Sequence, residues 1–245
     1  MQPDIQKNIW DSKQVRRISE GFITNKRRLD LICRHIVAGS KGRSRRLVKV
    51  LNIGIGNGYL ESLLLQKEFD VYSLDPSENA VAAMSEKFGV EAGRFRTGSV
   101  SAVPFDDGYF DFVVMSEVIE HLDDDTLAFC MNELKRVLKS GGQFLGTCPD
   151  DEELFRNTVI CPYCSERFHR VGHVRSFTVK SLHDLLSLHF NKVSCSSIRG
   201  MHLNWKGLLM YWYNVFPFRL AKLFYPSVRI PQYVGCHLFF KAINS

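Results

Sequence analysis

Three glycines at alternate positions, Gly54-Ile55-Gly56-Asn57-Gly58, and a carboxylate at Asp75 are the residues of this 245-residue chain best placed to hold a ligand. Glycine lets backbone approach a ligand with no Cβ in the way. A helix that starts directly after such a turn offers unpaired N–H groups and a positive dipole to an anionic group. A carboxylate about 20 residues further on can grip two ribose hydroxyls. Together these imply a nucleoside-bearing cofactor at the carboxyl edge of a parallel sheet. The spacing departs from the dinucleotide pattern, because Tyr59 stands where its third glycine would be. No Gly-Lys-Ser/Thr follows the turn, which excludes a P-loop. The bland alternative is a plain strand-to-helix turn.

A second group is Cys161-Pro162-Tyr163-Cys164 followed by His169 and His173, spaced C-x2-C-x4-H-x3-H. Two thiolates on a tight turn and two imidazoles four residues apart can converge tetrahedrally on zinc. Cys161, Cys164, His169 and His173 are therefore expected to bind structural zinc. The surrounding stretch is poor in apolar residues, so a metal would supply the order that packing does not. A metal-free substrate lid and redox-active cysteines are the alternatives.

The elements that position these groups follow from periodicity. Leu47 to Ile53 is a short β-branched run that reads as a buried strand, Tyr59 to Lys67 as a helix and Phe69 to Leu74 as the second strand. Ser77 to Phe88 reads as a helix with Pro76 and Ser77 at its start, and Arg94 to Thr97 as a third strand. Asp123 to Leu138 is a helix with an acidic first turn and a basic last one, as the helix dipole favours. Gln143 to Thr147, Lys192 to Ile198 and Cys236 to Ile243 complete a sheet, with a helix over Thr178 to Phe190. Residues 1–46 read as a helical arm ending in the linker Gly39-Ser40-Lys41-Gly42-Arg43-Ser44. Residues 149–177 and 200–232 read as inserts. The whole chain is expected to be one α/β domain.

The segment Val103-Pro104-Phe105-Asp106-Asp107-Gly108-Tyr109-Phe110-Asp111 leads into a fourth strand, Ser116-Glu117-Val118-Ile119-Glu120-His121-Leu122 follows that strand, and Leu138-Lys139-Ser140-Gly141-Gly142 precedes the fifth. With the glycine turn, these stretches resemble the class I S-adenosylmethionine (SAM)-dependent methyltransferases, in the subgroup that includes quinone-biosynthesis methyltransferases. The resemblance covers residues 47–148. It implies a Rossmann-like sheet of seven strands with helices on both faces, and SAM as cofactor. It also implies that Gly54, Gly56 and Gly58 line the methionine carboxylate and ribose, that Asp75 binds the ribose hydroxyls, and that Pro76 lies near the adenine. Asn52 and Ser99 stand where that family often has acidic residues, which alters the cofactor contacts. Glu117 is placed on the cofactor side, although it and Glu120 could instead cap the next helix. His121, at the edge where the methyl should project, is the candidate general base, since an unperturbed imidazole titrates near neutrality. His169, His173 and His202 are alternatives.

Charge is segregated. Residues 1–49 carry net +9, residues 50–153 net −13 and residues 154–245 net +10, for an overall +6. Basic flanks around an acidic core can hold nucleic acid, an anionic membrane face or an acidic substrate. Residues 1–17 are polar and lack the apolar stretch of a signal peptide, which places the seven cysteines in a reducing, cytoplasmic setting. Residues 203–225 are aromatic and basic, and Asn214, Pro217 and Arg219 interrupt them too often for a span. They fit a pocket lid, a peripheral contact with the inner membrane face or a dimer face. The expected reaction is O-methylation of a small-molecule, sugar or lipid-linked acceptor. The alternatives are quinone-like C-methylation, a zinc-knuckle RNA methyltransferase and an idle SAM-binding protein.

Overall fold

The computed structural model describes residues 23–161, 165–198 and 237–245. Cys164, His202, residues 1–22 and the aromatic stretch 203–225 lie outside the described residues. Helix α1 (Ile23–Gly39) precedes strand β1 (Lys49–Ile53). Helix α2 (Tyr59–Gln66), β2 (Asp70–Asp75), α3 (Glu78–Phe88), β3 (Phe95–Thr97) and β4 (Phe110–Ser116) follow. Then come α4 (Asp124–Val137), β5 (Leu138–Pro149), the short strands β6 (Thr158–Ile160) and β7 (Arg167–His169), α5 (Val179–Ser187), β8 (Lys192–Ile198) and β9 (His237–Ile243).

Seven of the strands form one sheet in the order β3-β2-β1-β4-β5-β9-β8, and β6 pairs with β7 in a separate hairpin. β1, β2, β3, β4 and β5 run parallel, while β9 is antiparallel to both β5 and β8. Successive side chains alternate between the faces. Val50, Phe112, Val114, Leu145 and Phe239 pack with Ile32, Ile36, Leu60, Leu64 and Val81 of α1, α2 and α3. Leu51, Val113, Phe144, Leu238 and Phe240 pack with Leu127, Met131, Leu134, Leu182 and Leu186 of α4 and α5. The fold is the α/β sandwich expected from the sequence.

Local chemistry sets the helix ends. Ser77 accepts from the Ala80 N–H at 3.3 Å to start α3, and Gly89 closes it in the left-handed region. Asp123, not Glu117 or Glu120, caps α4 by accepting from the Thr126 N–H at 2.8 Å. The expected helical arm is α1, which packs in the core with Ile32 and Ile36 wholly buried, and the linker after it is anchored by Arg43 to Asp111 at 2.8 Å. One boundary differs from expectation. β5 begins at Leu138, which pairs with Phe110 before the register shifts and resumes at Phe112–Gln143.

Candidate cofactor and acceptor site

The glycine turn joins β1 to α2 at the carboxyl edge of the sheet. Gly54, Gly56 and Gly58 all have positive φ (89°, 55° and 73°). A Cβ on Gly54 would meet Val118 at 2.8 Å, and one on Gly58 would meet Met84 Sδ at 2.7 Å. At Gly56 a Cβ would meet nothing within 4 Å. The outer glycines thus let the turn pack onto the protein, and the middle one leaves its outer surface open to a ligand.

Asp75 ends β2 beside this turn. Its Oδ2 accepts from the Ile55 N–H at 2.9 Å and its Oδ1 from the Ser77 N–H at 2.9 Å. Both oxygens of the carboxylate thus brace the turn. Pro76 follows, exposed, and Ser99 lies beyond β3 with its Oγ 2.7 Å from that of Ser101. These positions line one edge across β1, β2 and β3, where the family resemblance sets ribose and adenine.

Asn52 is 3% exposed and turned inward beneath the turn. Its Nδ2 donates to Gly54 O at 3.2 Å and to Glu61 Oε1 at 2.6 Å, and Ser73 Oγ donates to the same Glu61 oxygen at 2.9 Å. Burial pushes the Glu61 carboxyl above the usual range. Glu61 was not foreseen. Its only signal in the sequence is an acidic residue in the first turn of an otherwise apolar helix, which a helix dipole alone would explain.

Glu117 follows β4 with φ of 59°, a left-handed conformation that non-glycine residues seldom adopt outside special sites. Thr147 Oγ1 donates to its Oε1 at 3.0 Å, Arg28 Nε lies 3.6 Å from Oε1, and His237 Nε2 lies 3.3 Å from Oε2. Burial opposes ionisation, but Arg28, His237 and Thr147 together hold its pKa down at about 2. Arg28 comes from α1 and His237 from β9, so no local pattern could have announced them.

One turn on, Glu120 and His121 are buried. Burial, and then the Glu117 charge, raise the Glu120 carboxyl well above its ordinary value. His121 Nδ1 donates to Gly172 O at 3.0 Å, and burial followed by the neighbouring His173 lowers its pKa to about 3. This ring is therefore held neutral, with Nδ1 engaged by the insert and Nε2 turned toward His173 and Glu120.

The insert docks here. Val174 N–H donates to Glu120 O at 3.0 Å and Arg175 Nε to Leu122 O at 2.7 Å. The His169 and His173 rings stack at 4.6 Å, and His173 meets His121 edge-on at 4.7 Å. Glu152 accepts from His173 Nδ1 and from Asn157 Nδ2, the latter at 2.8 Å, and lies 3.4 Å from His169 Nε2. Although burial opposes it, these two histidines hold the Glu152 carboxyl far below the usual range. Among the described residues two groups could hold a metal: Glu120, His121 and His173, and Glu152, His169 and His173. Cys161, at the tip of the β6–β7 hairpin, belongs to neither. Of the three described members of the expected Cys/His set, the two histidines lie together, and Cys164 lies outside the described residues.

No helix among the described residues is long and apolar enough to cross a membrane. With this geometry in view, residues 51–146 match the family described as a methyltransferase domain. The chain is 32% identical over 139 residues to a Mycolicibacterium smegmatis protein named "Probable S-adenosylmethionine-dependent methyltransferase", covering 56% of this chain and 49% of that one. It is 31% identical over 112 residues to an uncharacterized methyltransferase of Geobacillus thermodenitrificans, covering 45% and 52%. The chain thus spans about half the length of these curated relatives. In fold it is similar to the Burkholderia thailandensis 1,6-didemethyltoxoflavin-N1-methyltransferase with bound 1,6-didemethyltoxoflavin and S-adenosylhomocysteine. That likeness has a TM-score of 0.63 at 16% identity and covers 98% of this chain and 87% of that one. Residues 51–146 thus match a methyltransferase domain, and the relatives and the fold support one of the class I SAM-dependent kind.

Proposed function

We propose that the protein transfers the methyl group of SAM to an oxygen of a small-molecule, sugar or lipid-linked acceptor. The observation that supports cofactor binding is the pairing of an open Gly56 with Asp75 at adjacent strand ends. The residues fit the group: Gly54 and Gly58 let the turn pack, Gly56 leaves it open to the carboxylate and ribose, and Asp75 would take the ribose hydroxyls. When bound, SAM supplies a methyl already activated by its sulfonium. The protein's own part is alignment, since the acceptor atom must sit near about 3–3.5 Å from that methyl and in line with it. Ile55 N–H and Ser77 N–H hold Asp75 in one orientation, and the Asn52–Glu61–Ser73 network holds the turn from below. Pro76 and Ser99 would flank the adenine. Glu117, fixed as an anion by Arg28 and His237, lies on the cofactor side of β4. The acceptor would enter beside the docked insert, with residues 203–225 supplying a lid or a peripheral membrane contact.

The test is transfer from labelled SAM into cell extract fractionated into small-molecule, glycan, lipid and RNA pools. Label in a small-molecule, glycan or lipid pool is expected. Label confined to RNA would move the acceptor to nucleic acid. Tight SAM binding with no transfer in any pool would leave a binding protein.

A further inference from the structure

We infer that Glu120, His121 and His173 form a site for a divalent first-row transition metal that ties the insert to the carboxyl edge of the sheet. Glu120 is 1% exposed, and neither of its side-chain oxygens has a hydrogen-bond partner among the described residues. A buried carboxylate without partners is costly, and folds retain one where it is paired or coordinates a metal. Its Oε1 faces His173 Nε2 at 3.8 Å.

Both rings are held in the tautomer that coordination needs. His121 Nδ1–H donates to the Gly172 carbonyl, and His173 Nδ1–H donates to Glu152. In this tautomer it is Nε2 of each ring that is left to coordinate. A ring whose other nitrogen is bonded to a carbonyl or carboxylate is the usual outer-shell arrangement of a metal-ligating histidine. One ligand atom from each of the three residues lies within 4.8 Å of the other two. Metal bonds of about 2.0–2.1 Å in a tetrahedral site put ligand atoms about 3.3 Å apart, so a contraction of at most about 1.5 Å closes the set.

The neighbouring group is less suited. The His169 Nδ1 accepts from the His173 backbone N–H at 3.0 Å, which leaves its proton on Nε2, facing Glu152. Glu152 is already engaged by His173 and Asn157. Glu152 is thus an outer partner that orients His173. One carboxylate and two imidazoles suit zinc or ferrous iron and leave a coordination position open.

The donors come from two places. Glu120 and His121 belong to the core after β4, and His173 belongs to the insert, so the site is complete only when the insert is docked. The insert has strands of three residues and leaves Phe155 73% and Ile160 57% exposed, so packing gives it little cohesion. Metal binding would supply it.

The experiment uses the full chain stripped with a chelator and titrated with Co2+, followed by visible absorption, with Zn2+ competition. About one equivalent is expected, with no thiolate charge-transfer band and with slower proteolysis of residues 151–177. Glu120→Gln and His173→Gln should weaken binding tenfold or more, and Cys161→Ser should leave it unchanged. Circular dichroism confirms that each variant is folded, and the wild-type spectrum decides the matter if one is not. Absence of cobalt binding at millimolar concentration would overturn the site. So would a thiolate band lost in Cys161→Ser, which would assign the metal to the cysteine pair. The titration contains no SAM, so its outcome is independent of methyl transfer.

Discussion

The two halves of the sheet's carboxyl edge are built by opposite means. On the β1–β2 side the ligand surface is mostly backbone: a turn of three left-handed glycines, braced by Asp75 through two N–H groups. Its pieces lie close in sequence, and its polar atoms are largely satisfied. On the β4–β5 side the surface is side chain. Arg28, Glu117 and His237 meet from distant elements, and Glu120, His121, Glu152, His169 and His173 crowd beneath the insert. Here the Glu120 carboxyl lies buried with no hydrogen-bond partner among the described residues. The difference is physical: a backbone surface keeps its shape whatever the side chains, whereas a surface made of side chains is free to specialise.

The largest test of the backbone half is Gly58→Val. A left-handed φ costs a β-branched residue roughly 1–2 kcal/mol, and overpacking against Met84 and Phe88 adds about 1–3 kcal/mol. Denaturant unfolding should show a loss of about 3 kcal/mol. A loss below about 1 kcal/mol would mean that the turn is not packed as described.

Asp75→Ala comes next. Hydrogen bonds to a charged group contribute about 1.5–3 kcal/mol each, so SAM affinity by calorimetry should drop at least tenfold while the fold persists. Unchanged affinity would remove Asp75 from the cofactor surface.

A control lies at the opposite end of the sheet. Asp111 is 6% exposed, and burial opposes its charge. The Lys49 N–H at 2.8 Å, Arg43 at 2.8 Å and Lys139 at 3.0 Å outweigh that and lower its pKa. The folded pKa is below the unfolded value of about 3.9. The stabilisation is therefore complete above that value and is lost as pH falls through the folded pKa. Melting temperatures of wild type and Asp111→Asn should differ near neutrality and converge in acid, with SAM affinity equal in both. A gap that widens in acid would contradict this sign.

Gly56→Ala should have the smallest effect on stability, about 1 kcal/mol for the left-handed φ alone, because its Cβ meets nothing. Its effect should fall on SAM binding instead. Equal affinity with and without the methyl group would show that the ligand does not approach this point.

The same contrast explains what could be read from the sequence. The glycine turn, Asp75 and the parallel strands follow from local pattern, because each is made by residues within one strand-turn-helix unit. β5 was expected only from Gln143 to Thr147, since the glycines at 141 and 142 read as a break, whereas Leu138 pairs across that interruption. The apolar spacing of Leu29, Ile32, Cys33 and Ile36 marks the face of α1, and Ile32 and Ile36 are wholly buried. Strands of three residues such as β6 and β7 carry too little periodicity to detect. The Arg28–Glu117–His237 contacts join residues up to 209 positions apart, which no spacing rule reaches. The histidines of the insert were found, but the carboxylates at Glu120 and Glu152 that face them were not assigned to them.

The position of β9 has a consequence for synthesis. It is the last described strand to leave the ribosome, yet it lies inside the sheet between β5 and β8. Until it arrives, β5 presents an open ladder of backbone groups, and β8 has no neighbour in the sheet. Unpaired edges of this kind recruit other chains. The nascent protein must therefore hold an unfinished sheet through the whole of residues 199–236, and a chain halted before His237 should be captured by chaperones or aggregate where the full chain does not. His237, the first residue of that closing strand, also contacts Glu117. Completion of the sheet and completion of the Glu117 pocket are thus one event in the life of the chain.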